Sequence, residues 1–378
     1  VKVPFLDLAA QHAPLKQEIL ALWEEILTTG HFIGGEHVVG LEAELAAANG
    51  ARHCVVLSNG TEALCLSLRA LGIGPGDQVI VPANTFIATA EAVSLVGATP
   101  RFVDCLRGTW NIDPSQIEPA ITDRTRAVIG VHLYGQPFDV DSCQEICERN
   151  GLFLMEDNAQ ALLATYKGRP TGVLTRVSAG SFYPGKNLGA CGEGGFVLTK
   201  DTSIDALIRR LRDHGQASKY HHEVLGTNAR LASVQAAALR VKLPRLPAWV
   251  EARRARATRY LQRLGSIPGI ELPAVPDFAE PVWHLFVVHV GDRDTILLDL
   301  RAAGVDAALH YPIPCHLQPA YAALGYRRGV FPNAEHNASH CLSLPMFPEL
   351  TDRQVDFVCD TLVSAVSSRL SMGATASP

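Results

Sequence analysis

The sequence predicts an α/β fold: one large, mostly parallel, seven-stranded sheet layered between helices, followed by a smaller α+β lobe. Three observations carry that expectation. Short apolar runs recur at 53–58 (HCVVLS), 78–82 (QVIVP), 101–104 (RFVD), 127–133 (AVIGVHL), 152–157 (LFLMED), 179–184 (AGSFYP) and 194–199 (GGFVLT). Their β-branched and aromatic residues lack polar alternation, which suits strands covered on both faces. Helical patterns such as TEALCLSLRAL and VDSCQEICERN lie between most of them, the alternation that builds parallel sheets. Near Leu243 the character changes.

An amphipathic helix from about Leu15 to Leu27 opens the chain. The seven strand-like runs follow. Only a Thr- and Gly-rich connection separates LFLMED from AGSFYP, and GGFVLT comes closely after, so a hairpin-like or antiparallel strand is expected there. PRLPAW then breaks the chain, and EARRARATRYLQRL reads as a long basic helix joining two lobes. Beyond it come the strand-like WHLFVVHV, a helix around ILLDLRAAG and a loop-rich stretch. The expected division is 1–245 for the large lobe and 246–378 for the small one. The last twelve residues, SSRLSMGATASP, are small and polar and read as frayed.

Composition narrows the function. A net charge of −5 with no block of like charge argues against nucleic acid or a membrane surface as the main partner. No apolar stretch is long enough to span a bilayer, and VKVPFLDLAAQ lacks the basic head and apolar run of a signal peptide. Nine cysteines, an odd number without a CxxC pair, read as free thiols in a reducing cytoplasm rather than as disulfides or zinc ligands.

Ligands of open α/β sheets bind beyond the carboxyl ends of the strands, so the residues after each strand come next. Ser58, Asn59, Gly60 and Thr61 form a small-residue turn before a helix, where free amides favour a phosphate. Taken alone, it is a capping turn with Thr61 as the N-cap. Phe86, after the second strand, is placed to stack on a flat ring or to serve the core. Glu156 and Asp157 end an apolar strand, and an unpaired buried carboxylate is costly, so the pair reads as partnered by a cation or as an exposed strand end, with a metal disfavoured for want of a His cluster. Gln160 lies just beyond. The stretch GSFYPGKNLGACGEGG is the most informative. Ser181 offers a hydroxyl, and Lys186 sits in a turn bounded by Gly and Pro, where a pocketed amine has a lowered pKa and forms imines. Asn228 and Arg230 lie in a polar segment before a helix, either a solvated loop or an arm reaching into a second subunit's site.

These residues resemble the DegT/DnrJ/EryC1/StrS family, the fold-type I pyridoxal-phosphate (PLP) enzymes that aminate nucleotide-linked keto sugars. The resemblance runs through VPFLDLAAQHAPLKQEI, TGHFIGGEHVVGLE, SNGTEAL, NTFIATAEAV, EDNAQA, SFYPGKNLGACGEGG, GTNARL, LHYPIPCHLQPAY and LSLPMFPELT in order. It implies that Lys186 forms the Schiff base with pyridoxal 5'-phosphate and that Asp157 pairs with the pyridine nitrogen. It further implies that Gln160 contacts the phenolic oxygen, that Phe86 stacks on the ring, and that Gly60, Thr61 and Ser181 hold the phosphate. Asn228 would reach that phosphate from the other subunit of a homodimer. Tyr183, Lys219, His310 and Tyr311 match positions lining the sugar-nucleotide side. The implied reaction moves an amino group from L-glutamate through the cofactor to the sugar, by ping-pong kinetics. FYPGKNLGA and the pair Lys219–Tyr220 look most like members acting on dTDP-3-keto-6-deoxyhexoses; a 4-keto sugar is the alternative.

The sequence departs from the family's pattern at Leu162 and Leu163, where His or Ser and then Gly are usual, and at Ala229, where Ser is common. VLTRVSAGSF also lacks the usual Gly-Asp. A PLP-dependent sugar dehydratase would carry His in place of Lys186. A nicotinamide dehydrogenase would need GxGxxG, which SNGTEA does not supply. A non-catalytic regulator would have no use for Lys186, Asp157 and Gln160 together.

Overall fold

Seven strands form the central sheet: β1 (His53–Leu57), β2 (Gln78–Pro82), β3 (Thr99–Val103), β4 (Thr125–Val131), β5 (Phe153–Asp157), β6 (Val177–Ser181) and β7 (Gly195–Thr199). The structure is a computed structural model and describes residues 2–375. The strand order is β1-β7-β6-β5-β4-β2-β3. Every neighbouring pair is parallel except those of β7, which runs antiparallel to both β1 and β6. This is the antiparallel strand that the short connection after LFLMED foreshadows.

Burial explains the unbroken apolar runs. Val79, Val81, Ile129 and Met155 pack into one core layer, while Ile80, Val128 and Leu154 pack into another with Phe138, Cys143 and Cys147. Successive residues of one strand therefore meet different helical layers, and neither face needs a polar residue. The N-terminal helix spans Lys16–Thr29 and lies on the helix Ser233–Lys242, where Leu15 and Ile19 meet Ala238 and Val241.

The second lobe is built on Leu246–Leu264. Its basic residues are matched by an acidic face on the C-terminal helix Asp352–Thr375: Arg259 Nη2 lies 2.6 Å from Asp356, and Arg256 and Arg263 pair with Asp352 and Asp360. The charge of that helix thus serves lobe packing. The helix Asp352–Thr375 also carries most of the stretch expected to fray; residues 376–378 lie outside the described residues. A three-stranded sheet of Ile270–Glu271, Phe286–Val290 and Cys341–Leu344 completes the lobe. Val3 pairs with Val305 and joins this second core, so the chain's start packs on its later part.

Two carboxylates at the end of β5 point to opposite faces, as strand geometry requires. Glu156 is fully buried and satisfied by the protein. It accepts from the amides of Gly172 (2.6 Å), Leu174 (3.0 Å) and Thr175 (2.9 Å), from the Thr175 hydroxyl (3.1 Å) and from His132 Nε2 (3.0 Å). The Phe138 amide donates to His132 Nδ1, so the ring proton sits on Nε2 and the imidazole is neutral. Burial raises the Glu156 pKa, but His132 and the amides outweigh it and hold it below its usual value. This stabilisation is present above the ordinary glutamate pKa and is lost as pH falls through the depressed one. Glu156→Ala should lose about 3–5 kcal/mol, because it strands buried donors. Thermal melts should show a Tm gap to the native chain at neutral pH that closes in acid.

Candidate active site

Parallel strands deliver their carboxyl ends to one edge of the sheet. There β1 leads to Asn59 and Gly60, β2 to Thr85 and Phe86, β5 ends in Asp157 and β6 in Ser181, all lining one cavity of about 580 Å³. Lys186 enters the same cavity from a turn in which its amide donates to the Tyr183 carbonyl at 2.8 Å.

The first strand–helix turn is an anion cradle. Asn59, not Thr61, is the N-cap: its backbone is extended and its Oδ1 accepts from the Glu62 amide at 2.8 Å. The helix begins at Gly60, so Thr61 already lies inside it. The amides of Gly60 and Thr61 find no acceptor among the described residues, as expected for the first turn of a helix. The Ser181 hydroxyl accepts from the Tyr183 amide at 3.1 Å, which leaves its own proton to donate. Two glycines make the cradle possible. A Cβ on Gly60 would stand 2.8 Å from Ser181 Cβ, and one on Gly195, the first residue of β7, would stand 2.3 Å from the Asn59 carbonyl oxygen.

Asp157 differs from its neighbour Glu156 in being only half satisfied. Oδ2 accepts from Thr89 Oγ1 at 2.8 Å and Oδ1 from the Ala159 amide at 3.1 Å. Burial pushes its pKa up, while the Ala159 amide, Thr89 and the positive charge of Lys186 pull it back. The Lys186 side-chain amine has no hydrogen-bond or ion-pair partner among the described residues. Burial lowers its pKa to about 8, with Asp157 opposing. An unclaimed amine and a part-claimed carboxylate facing one cavity are groups held ready for a ligand.

Gln160 is oriented at both ends of its amide. Oε1 accepts from the Tyr134 amide at 2.6 Å and Nε2 donates to the Tyr311 hydroxyl at 3.1 Å, leaving one Nε2 hydrogen free. Phe86 is half-exposed, its ring 5.5 Å from that of Tyr311. His310 stacks on Phe5 and contacts Ser343 Oγ through Nδ1 at 2.8 Å. Burial, then the charge of Lys186, lowers its pKa to about 4, so its ring is neutral. Burial raises the pKa of Tyr311 and keeps its hydroxyl protonated. Tyr183 is exposed at the rim.

Ten of the twelve residues to which the resemblance gives a role line this cavity. Lys219 and Asn228 do not. Both are exposed; Lys219 Nζ sits over the Tyr220 ring, and Asn228 Oδ1 accepts from Arg230 at 3.2 Å. Sequence reasoning missed Thr85, Thr89 and His284. Two threonines four apart after a strand were a weak signal. His284 carried none, because its place depends on Arg253, a buried arginine of the lobe-joining helix. Arg253 Nη1 donates to the carbonyls of Trp283 (3.1 Å), His284 (3.3 Å) and Met346 (2.8 Å), tying two cavity segments together. Among the described residues no His, Cys, Asp or Glu cluster converges as metal ligands would.

Residues 14–363 match the DegT/DnrJ/EryC1/StrS aminotransferase family. The chain belongs to that family. This aminotransferase is 46% identical over 361 residues to dTDP-3-amino-3,4,6-trideoxy-alpha-D-glucose transaminase of Streptomyces venezuelae, covering 96% of this chain and 95% of the relative. It is 45% identical over 353 residues to UDP-N-acetyl-3-dehydro-alpha-D-glucosamine 3-aminotransferase of Acidithiobacillus ferrooxidans, covering 93% and 95%. The crystal structure of S. venezuelae DesV in complex with a ketimine intermediate superposes with a TM-score of 0.94 at 46% identity, covering 96% of this chain and 98% of DesV. The fold is that of the fold-type I PLP-dependent transferases.

Lys186 should be the most reactive lysine of the apoprotein below the pH range of ordinary lysines. Labelling by an aldehyde with cyanoborohydride should rise through pH about 8 at this residue, while surface lysines stay protonated; peptide mass spectrometry reads the site.

Proposed function

We propose that this aminotransferase uses pyridoxal 5'-phosphate to move the amino group of L-glutamate onto carbon 3 of a dTDP-linked 3-keto-6-deoxy sugar. The observation that carries the reading is the unclaimed Lys186 amine sharing a cavity with the half-satisfied Asp157. The residues present suit the cofactor: free amides at Gly60 and Thr61 with the Ser181 hydroxyl for a phosphate, Phe86 for a ring face, the spare Nε2 hydrogen of Gln160 for an oxygen.

When bound, the cofactor supplies an electrophilic carbon for the amino group and a cationic ring that takes up the electron pair of a broken C–H bond. The chain does the rest. Lys186 would hold the cofactor through its amine, and that amine, once free, would take the proton from the donor's α-carbon and deliver it to the bound cofactor. Asp157, ionised, would hold a proton on the ring nitrogen. Phe86 would stack on the ring. Tyr183, His310 and Tyr311 face the sugar, and the neutral His310 is able to accept a hydroxyl proton in a hydrogen bond. Glutamate and sugar use the cavity in turn, which gives ping-pong kinetics.

Support for carbon 3 is that both relatives above act at that position, on a dTDP sugar in one case and a UDP sugar in the other. We take residues 1–245 and 246–378 as the two lobes, and the free state of all nine cysteines suits a reducing cytoplasm. Among the described residues no helix is long and apolar enough to cross a membrane.

We assign Asn228 and Lys219 to the cavity of a second subunit. In support, both lie outside their own chain's cavity, on an arm that also exposes Tyr220 (82%) and Leu225 (89%). Lys186→Ala and Asn228→Ala chains, each impaired alone, should complement when refolded together. A mixed dimer has one intact site, so activity should return to about a quarter of the native value. No recovery in a coupled 2-oxoglutarate assay would sink the shared site. Incubation with glutamate and a panel of 3-keto and 4-keto dTDP and UDP sugars, analysed by mass spectrometry and NMR, tests the substrate. A 3-amino dTDP sugar is expected; turnover of 4-keto sugars alone would overturn the assignment.

A further inference from the structure

Asp157 owes its orientation to a hydroxyl chain that begins at Thr85, in the bend that follows β2. Thr89 Oγ1 donates to Asp157 Oδ2 at 2.8 Å, and Thr85 Oγ1 lies 2.9 Å from Thr89 Oγ1. Thr85 and Thr89 are 3% and 1% exposed. A hydroxyl has one proton, and Thr89 commits its own to Asp157. Thr85 must then be the donor in the contact between the threonines, so the chain runs one way, Thr85 to Thr89 to Asp157. The same turn carries Phe86, whose carbonyl accepts from the Thr89 amide at 3.2 Å. The turn is pinned from the second lobe: the Cys315 amide donates to the Ala83 carbonyl at 2.9 Å, and Cys315 Sγ to the Thr85 carbonyl at 3.4 Å.

We propose that Thr89 is a positioning residue: its hydroxyl, oriented by Thr85, holds the Asp157 carboxylate in register with Phe86, so that one flat cationic ring meets a stacking face and an ionised oxygen together. The proposal rests on the pyridoxal-phosphate reading above. Its physical basis is that a donor to a buried carboxylate favours the charged form, and only that form holds a proton on a ring nitrogen. Ala159 alone would leave Oδ2 free to turn. Valine keeps the shape of threonine and removes the proton donor, whereas serine keeps the donor and removes a methyl group.

The test titrates apoproteins of the native chain, Thr89→Val, Thr89→Ser and Thr85→Val with pyridoxal phosphate and with pyridoxamine phosphate. Binding is followed by fluorescence quenching, and the bound cofactor's absorption is recorded against pH. Thr89→Val should weaken both cofactors about ten- to a hundredfold, the range for a lost hydrogen bond to a charged group. It should also lower the pH at which the ring nitrogen loses its proton. Thr89→Ser should restore both readouts, and Thr85→Val should move them the same way by less. A purely structural threonine would lower the apoprotein's Tm without moving the spectral transition. Native affinity and spectrum in Thr89→Val, or equal impairment in Thr89→Ser, would overturn the proposal. Should Thr89→Val not fold, Thr85→Val decides, and an unchanged affinity and spectrum there overturn it. A native chain that takes up neither cofactor overturns the functional reading itself.

Discussion

The acid at the end of the central strand governs the rest of the site. Asp157 stands between β4 and β6, where Val131 and Ala179 are its register partners. Only 5% of its surface is exposed, and a buried charge must be paired or neutralised. Its neighbour Glu156 shows what complete satisfaction looks like: five donors from His132 and the loop 172–175. Asp157 has two. The difference is a consequence of the pleat, which turns one side chain to a loop and the other to the cavity. Lone pairs remain on Asp157, which lines the same cavity as Lys186 and feels its charge.

The electrostatics of the cavity follow from that pair. Lys186 is the one lysine or arginine among the described residues lining it, and burial, then its charge, keeps His284 and His310 neutral. Neutral imidazoles and the protonated Tyr311 hydroxyl can bind sugar hydroxyls without competing for the proton that Lys186 carries. Further positive charge for an anionic sugar nucleotide or a dicarboxylate would come from outside the lining, and the exposed Lys219 arm fits that need.

The antiparallel β7 does less visible work. It places Gly195 against Ser181 and Leu57, closing the sheet beneath the anion cradle. At Gly195 backbone approaches backbone, against the Asn59 carbonyl. Residue type alone makes Thr61 a capping residue. Asn59 takes that place because the chain is still extended there and its side chain reaches the Glu62 amide.

Strand periodicity, turn glycines and the order of motifs are local properties, so the layered fold, all seven strands, Lys186 and Asp157 could be read from the chain alone. Distances between remote segments are not local. That Thr89 reaches Asp157, that Arg253 pins His284 beside Met346, and that the basic helix 246–264 meets acids at 352–360 were decided by tertiary packing, because each joins residues whose separation along the chain carries no periodic signal. The same holds for the outward placement of Lys219 and Asn228. Their residue types allowed a site or a solvated loop, and only the folded chain, by leaving them outside its own cavity, separated them from the other ten.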